Sequence, residues 1–276
     1  MVAASRPVRR ALSGQRVVDS RRVFLGISAV VFVASAAMTI ASCASMSAMS
    51  AMDMPGGWAM STMWMRMPGQ SWLGAAVDFV GMWLVMMVAM MLPSLTPMLW
   101  RYRDALGVTS GPRLGWLTAL VGVGYFAVWA VVGVIVFALV SVLAATAMEE
   151  PVVARAVPMV VGAAVLVAGV VQHTEWKARQ LAFCREATAG RLTPNADAGA
   201  AWRRGLRLGF HCSQSCAGLT AVAVVLGVMD LRVMGVVAAA ITVERLAPNG
   251  VRVARAIGIV VVALGAVVIA RAAGLG

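Results

Sequence analysis

The residues of this chain with chemistry to offer are its sulfurs, and they are placed unevenly. Cys212 and Cys216 stand four residues apart in an apolar stretch, a spacing that points both thiols the same way on a helix. His211 adjoins them, Cys184 lies in the basic segment before them, and His173 opens that segment. Three of the four cysteines and both histidines therefore fall between residues 173 and 216. Thiolates bind Cu(I) and Zn(II) tightly, and two or three of them complete a linear or trigonal Cu(I) site. The plain alternative is a set of small buried cysteines that only pack.

Thioether sulfur forms a second group. Eight of the 20 methionines crowd one loop: Met46, Met49, Met52, Met54, Met60, Met63, Met65 and Met67. Thioethers are soft, uncharged and not protonated, so they suit Cu(I). The absence of histidine from the loop argues against Cu(II) or Zn there. The following apolar segment carries Met82, Met86 and Met90, a four-residue repeat that draws one stripe along a helix face. That stripe reads either as a ladder for Cu(I) or as ordinary helix packing. Cys43 stands three residues before Met46, where it either joins the methionine loop, carries lipid or has no role.

The elements that position these groups follow from composition. Of 276 residues, 61% are hydrophobic and 12% charged. A soluble domain needs about 25% charged residues to cover its surface. The apolar surplus must face lipid, so the chain reads as an all-α integral membrane protein. Seven segments have the length and apolarity of spanning helices: 23–43, 73–92, 115–145, 157–172, 208–228, 231–247 and 253–272. The fourth and sixth are short. The runs do not alternate as barrel strands would.

The net charge of +12 does not indicate nucleic acid, because Lys and Arg fall between apolar runs. With the N-terminus inside, all but Arg66, Arg155, Arg232 and Arg271 of the 23 basic residues lie on the cytoplasmic side, and the C-terminus lies outside. This divides the chain into a basic tail, 1–22, and one transmembrane domain, 23–276. The domain has an outer methionine-rich loop, 44–72, and a basic inner loop, 173–206. Ser20-Arg21-Arg22 and Ile40-Ala41-Ser42-Cys43 also match short export and lipoprotein patterns, but an uncleaved first helix is expected. Asp78 and Glu244 lie near the ends of their segments, and Glu244-Arg245 reads as a local surface pair.

Longer motifs carry a resemblance. The run Met82-Trp83-Leu84-Val85-Met86-Met87-Val88-Ala89-Met90-Met91-Leu92-Pro93-Ser94-Leu95-Thr96-Pro97-Met98 resembles the signature of a bacterial family of predicted metal-binding integral membrane proteins. Gln172-His173-Thr174-Glu175-Trp176-Lys177, with Cys184-Arg185 after it, is similar to that family's inner loop. Gly209-Phe210-His211-Cys212-Ser213-Gln214-Ser215-Cys216 and Gly227-Val228-Met229-Asp230, ending in Glu244-Arg245-Leu246-Ala247-Pro248, resemble its last block. The family includes membrane copper chaperones that support copper loading of bacterial tyrosinases. The resemblance implies that Cys184, Cys212, Cys216 and the methionines of the second segment are copper ligands. Ser215-Cys216 departs from the adjacent cysteines frequent in the family, and His211 replaces a residue that is usually aromatic.

The expectation is therefore a non-catalytic copper(I)-handling protein of the bacterial cytoplasmic membrane, a chaperone or transporter serving a client copper oxidase such as a tyrosinase. No G-x4-G-K-[ST] loop is present to drive transport with ATP. Two alternatives are a membrane thiol oxidoreductase and a proton-coupled carrier working through Asp78 or Glu244. The oxidoreductase would need reactive thiols on the oxidising side, whereas this pair faces the cytosol.

Overall fold

The computed structural model describes the backbone of residues 5–47, 52–54, 58–60, 69–106, 111–189, 197–228 and 230–274. Among these residues are eight helices and one short hairpin. The helices are α1 (Ser5–Ser47), α2 (Trp72–Leu106), α3 (Gly111–Glu149), α4 (Pro151–Val171), α5 (Glu175–Ala189), α6 (Ala198–Gly227), α7 (Leu231–Leu246) and α8 (Gly250–Ala272). The hairpin pairs β1 (Met52–Met54) with β2 (Trp58–Met60), Met52 opposite Met60.

Six helices, α1 to α4, α6 and α8, are long and apolar enough to cross a membrane. The protein is thus an all-helical, multipass membrane protein in its main architecture. The segment at 231–247, expected as a seventh span, forms α7, which has 16 residues. At 1.5 Å per residue that is about 24 Å, short of a ~30 Å hydrocarbon layer. The expected inner loop, 173–206, holds the extra helix α5 and the first two turns of α6. On α5, Lys177, Leu181 and Cys184 recur at helical spacing and all are buried, while Trp176 and Arg179 are exposed.

Large apolar side chains such as Val30, Leu139 and Val260 point outward, as lipid demands. Half of the apolar window of α6 is buried and 39% of that of α2, against 11% for α1. Helices α2 and α6 therefore form the inside of the bundle. Lipid provides little hydrophobic drive between helices, so close backbone approach matters more. It is achieved on glycine. A Cβ on Gly205 would collide with the Val121 carbonyl, and one on Gly209 would come within 2.7 Å of the Tyr125 carbonyl, so α6 lies tightly on α3. Helices α4 and α8 meet in the same way where Gly169 faces Gly258.

Local signals set the helix ends near the sulfurs. The Asp197 carboxylate accepts from the Ala200 amide and starts α6; the Asp230 carboxylate accepts from the Arg232 and Val233 amides and starts α7. Between α6 and α7, Gly227 adopts φ +133°, a conformation L side chains rarely take, and reverses the chain. Pro93 and Pro97 lie within α2 and remove two backbone donors there.

Candidate metal centre

The thiol pair lies midway along α6. Cys212 and Cys216 are 0% and 1% exposed, and their Sγ atoms are 3.9 Å apart. The i, i+4 spacing gives that proximity directly. Three neighbours close around Cys212. The Tyr125 hydroxyl of α3 is 2.8 Å from its sulfur, held there by the glycine contact one turn earlier. The Arg245 guanidinium of α7 donates to the same sulfur at 2.9 Å and to Ser94 Oγ of α2 at 3.0 Å. Its second amino group lies 3.7 Å from Met98 Sδ. Cys184 reaches in from α5 and hydrogen-bonds with Ser215 and Arg245. Burial pushes its thiol above the ordinary range.

Beside the sulfurs runs a polar chain. Lys177 of α5 pairs with Glu244 of α7 at 2.7 Å and donates to the Ser215 carbonyl, while Gln172 Nε2 donates to the other Glu244 oxygen at 3.0 Å. Both charges are buried, which corrects the reading of Glu244-Arg245 as a surface pair. Glu244 is neutralised by Lys177, and Arg245 keeps sulfur and hydroxyl partners only. Adjacent residues on a helix diverge by about 100°, so the two opposite charges serve different neighbours.

Cys184 and Cys212 thus share one guanidinium, with Cys216 against Cys212. Among the described residues no group of three or more His, Cys, Asp and Glu side chains is gathered tightly enough to hold an ion. The Arg245 guanidinium lies against Cys212 and Cys184. Neither histidine joins them. His211 turns to α5, where Nδ1 lies 2.8 Å from Gln180 Oε1 and the ring stacks on Phe183. His173 is exposed and borders Gly258 of α8.

The methionines divide. Met86 and Met90 are buried in α2, and Met82 is half-buried. Met46 ends α1 half-buried, and Met54 packs under the hairpin against Ala147 and Ala154, where the Trp58 indole donates to the Ala154 carbonyl at 2.9 Å. Met52 and Met60 face each other across the hairpin backbone. Met49, Met63, Met65 and Met67 lie outside the described residues. Of the carboxylates considered for proton coupling, Asp78 is exposed and accepts from Gln70 at 2.8 Å.

Sequence reasoning missed Tyr125, Ser94, Ser215 and the role of Arg245. The one available signal was a Glu-Arg pair closing an apolar helix, where charge is costly. A family model described as copper chaperone matches residues 80–268, which include every residue of the thiol site. No curated protein and no solved structure matches the chain.

Proposed function

This chain belongs to the copper chaperone family matched over residues 80–268, and from that premise we propose that it holds Cu(I) at Cys212 and Cys216 for delivery to a client copper enzyme. The observation that carries the reading is the thiol pair. Two arms of a trigonal site with metal–thiolate bonds of ~2.3 Å span about 4 Å, whereas a linear site spans about 4.6 Å. The separation of 3.9 Å supports the trigonal case. Cys184 or Met98, both within reach of Arg245, supplies the third sulfur. His173 and His211 are left out of the proposed site, because His211 is committed to Gln180 and Phe183 and His173 is exposed away from the thiols.

Arg245 serves this site as counter-charge. With Met98 as third ligand, Cu(I) with two thiolates carries one negative charge and the guanidinium beside it gives a neutral assembly, which lipid tolerates; with Cys184 as a third thiolate the guanidinium leaves one negative charge. An ion held by the sulfurs would have Arg245 beside it, since the guanidinium already contacts Cys212.

The outer loop methionines capture or release Cu(I) weakly, and the thiols hold it more tightly. The protein resides in the bacterial cytoplasmic membrane with its N-terminus inside, is not an enzyme, and serves an oxidase of the tyrosinase kind. Helix α7 completes a seven-helix bundle. It starts near Cys43 and Met86 and ends at Ser94 and Met98, so it runs through most of the layer despite its length. The test is copper retention after anaerobic purification from copper-fed cells. Cys212→Ser with Cys216→Ser should lower the amount of Cu(I) retained; unchanged retention overturns the thiol site.

A further inference from the structure

A second group of sulfur-bearing side chains lines one cavity away from the thiol pair. Cys43 near the end of α1, Met82 and Met86 of α2 and Met234 of α7 line this cavity of about 10 Å³, together with Thr39, Ser42 and Val228. The cavity lies where α1 is ending and α6 turns into α7. Met86 precedes Ser94 by eight residues, about 12 Å along α2, so the cavity is distinct from the thiol pair.

We infer that this cavity is a second Cu(I) site, with Cys43, Met82, Met86 and Met234 as its ligands; the inference rests on the copper-handling reading above. Size and chemistry both select the occupant. A space of this volume admits one water-sized body and excludes an organic cofactor. Thioethers are poor hydrogen-bond acceptors and good soft-metal ligands, so a bare Cu(I) fits better than water or a hard divalent cation. Charge also closes. One thiolate and three neutral thioethers around Cu(I) give a neutral site; none of the side chains lining the cavity is charged, and the Asp230 carboxylate, which acts on Cys43 from beside it, favours a cation there. Binding exchanges the Cys43 thiol proton for the ion, and the proton leaves to water.

The four sulfurs come from three helices that are far apart in sequence, and Cys43 lies before the first residue of the family match. The site therefore adds α1 to the copper-handling part of the chain. With one thiolate it holds copper less tightly than the two or three thiols of the inner centre, and so is the exchange site of the pair.

The experiment is Cu(I) stoichiometry of the full-length protein in detergent, by anaerobic competition with a chromophoric Cu(I) chelator. Wild type should hold two ions. Cys43→Ser with Met234→Leu should hold one, with the tighter ion kept; retention of both overturns the second site. Cys184→Ser with Cys212→Ser and Cys216→Ser should also hold one, the weaker. Should that variant still hold two ions, the thiol centre fails instead, so the two failures are distinguishable. As a check independent of folding in the Cys43 variant, the X-ray absorption edge of copper in the triple-serine variant should report Cu(I) in an all-sulfur shell. An oxygen or nitrogen shell there, or no copper, overturns the inference.

Discussion

At the scale of single residues, the unusual feature is a buried arginine without a carboxylate. Arg245 is 6% exposed and contacts Cys212, Ser94 and Met98, while Glu244 is taken by Lys177. A cation in a low-dielectric interior requires negative charge nearby, and thiolates bearing Cu(I) supply it. Arg245→Gln keeps a donor but removes the charge. It should weaken Cu(I) binding by about 10- to 100-fold, the usual range for outer partners of metal ligands, and Arg245→Lys should recover part of the loss. Competition titration against a chelator measures both; equal affinities in all three proteins would exclude the counter-charge role. Protons give a second prediction. The Cys184 thiol is raised by burial, so it holds its proton across the neutral range and must give it up to bind a metal. Binding through Cys184 therefore strengthens as pH rises toward that value, by about tenfold per unit for the one proton. Cys184→Ser should flatten the affinity–pH profile by that proton between pH 6 and 8, whereas a third ligand from Met98 leaves the slope unchanged.

At the scale of elements, the site depends on how closely α6 approaches α3. Gly209 lies against the Tyr125 carbonyl at one Cβ-length, and the Tyr125 hydroxyl meets Cys212 on the next turn. Gly209→Val should push the helices apart, lower the thermal midpoint in detergent by several degrees, and loosen Cu(I) binding with it. Gly122→Ala is the control, since nothing lies within 4 Å of a Cβ there, and it should change neither. Helix α5 is the other positioning element. Its buried face delivers Lys177 and Cys184 to the same middle turn of α6, at Ser215. That face has the spacing of an amphipathic helix and could be read from Lys177, Leu181 and Cys184, but the polar background of the segment obscured it.

At the scale of the whole molecule, the relative directions of α2, α6 and α7 follow from shared contacts. Met234 reaches Met86 and Cys43, and Arg245 reaches Ser94 and Met98, so α7 runs parallel to α2. Cys212 is beside Arg245 and Val228 beside Met234, so α6 runs the opposite way. The seven-crossing bundle proposed above would bring the two chain ends to opposite faces. Alkaline phosphatase joined after residue 276 should be active outside the cell, and a fluorescent protein joined before residue 1 should fold inside. Reporters active on the same face would remove α7 as a crossing helix.

The apolar runs, their basic punctuation and the Cys212–Cys216 spacing are local properties, and they were enough to determine a helical membrane protein with a sulfur-bearing helix. Hydropathy over twenty residues and the 3.6-residue period need no knowledge of neighbours. Which sulfurs share a site was decided only by packing between distant segments. Burial took Arg245 from the count of topology signals and placed it among the thiols, turned His211 toward Phe183, and joined Cys43 to Met234. Such contacts arise where helices cross, and crossings depend on glycine faces and on charges that must be paired inside lipid, neither of which has a period in the sequence.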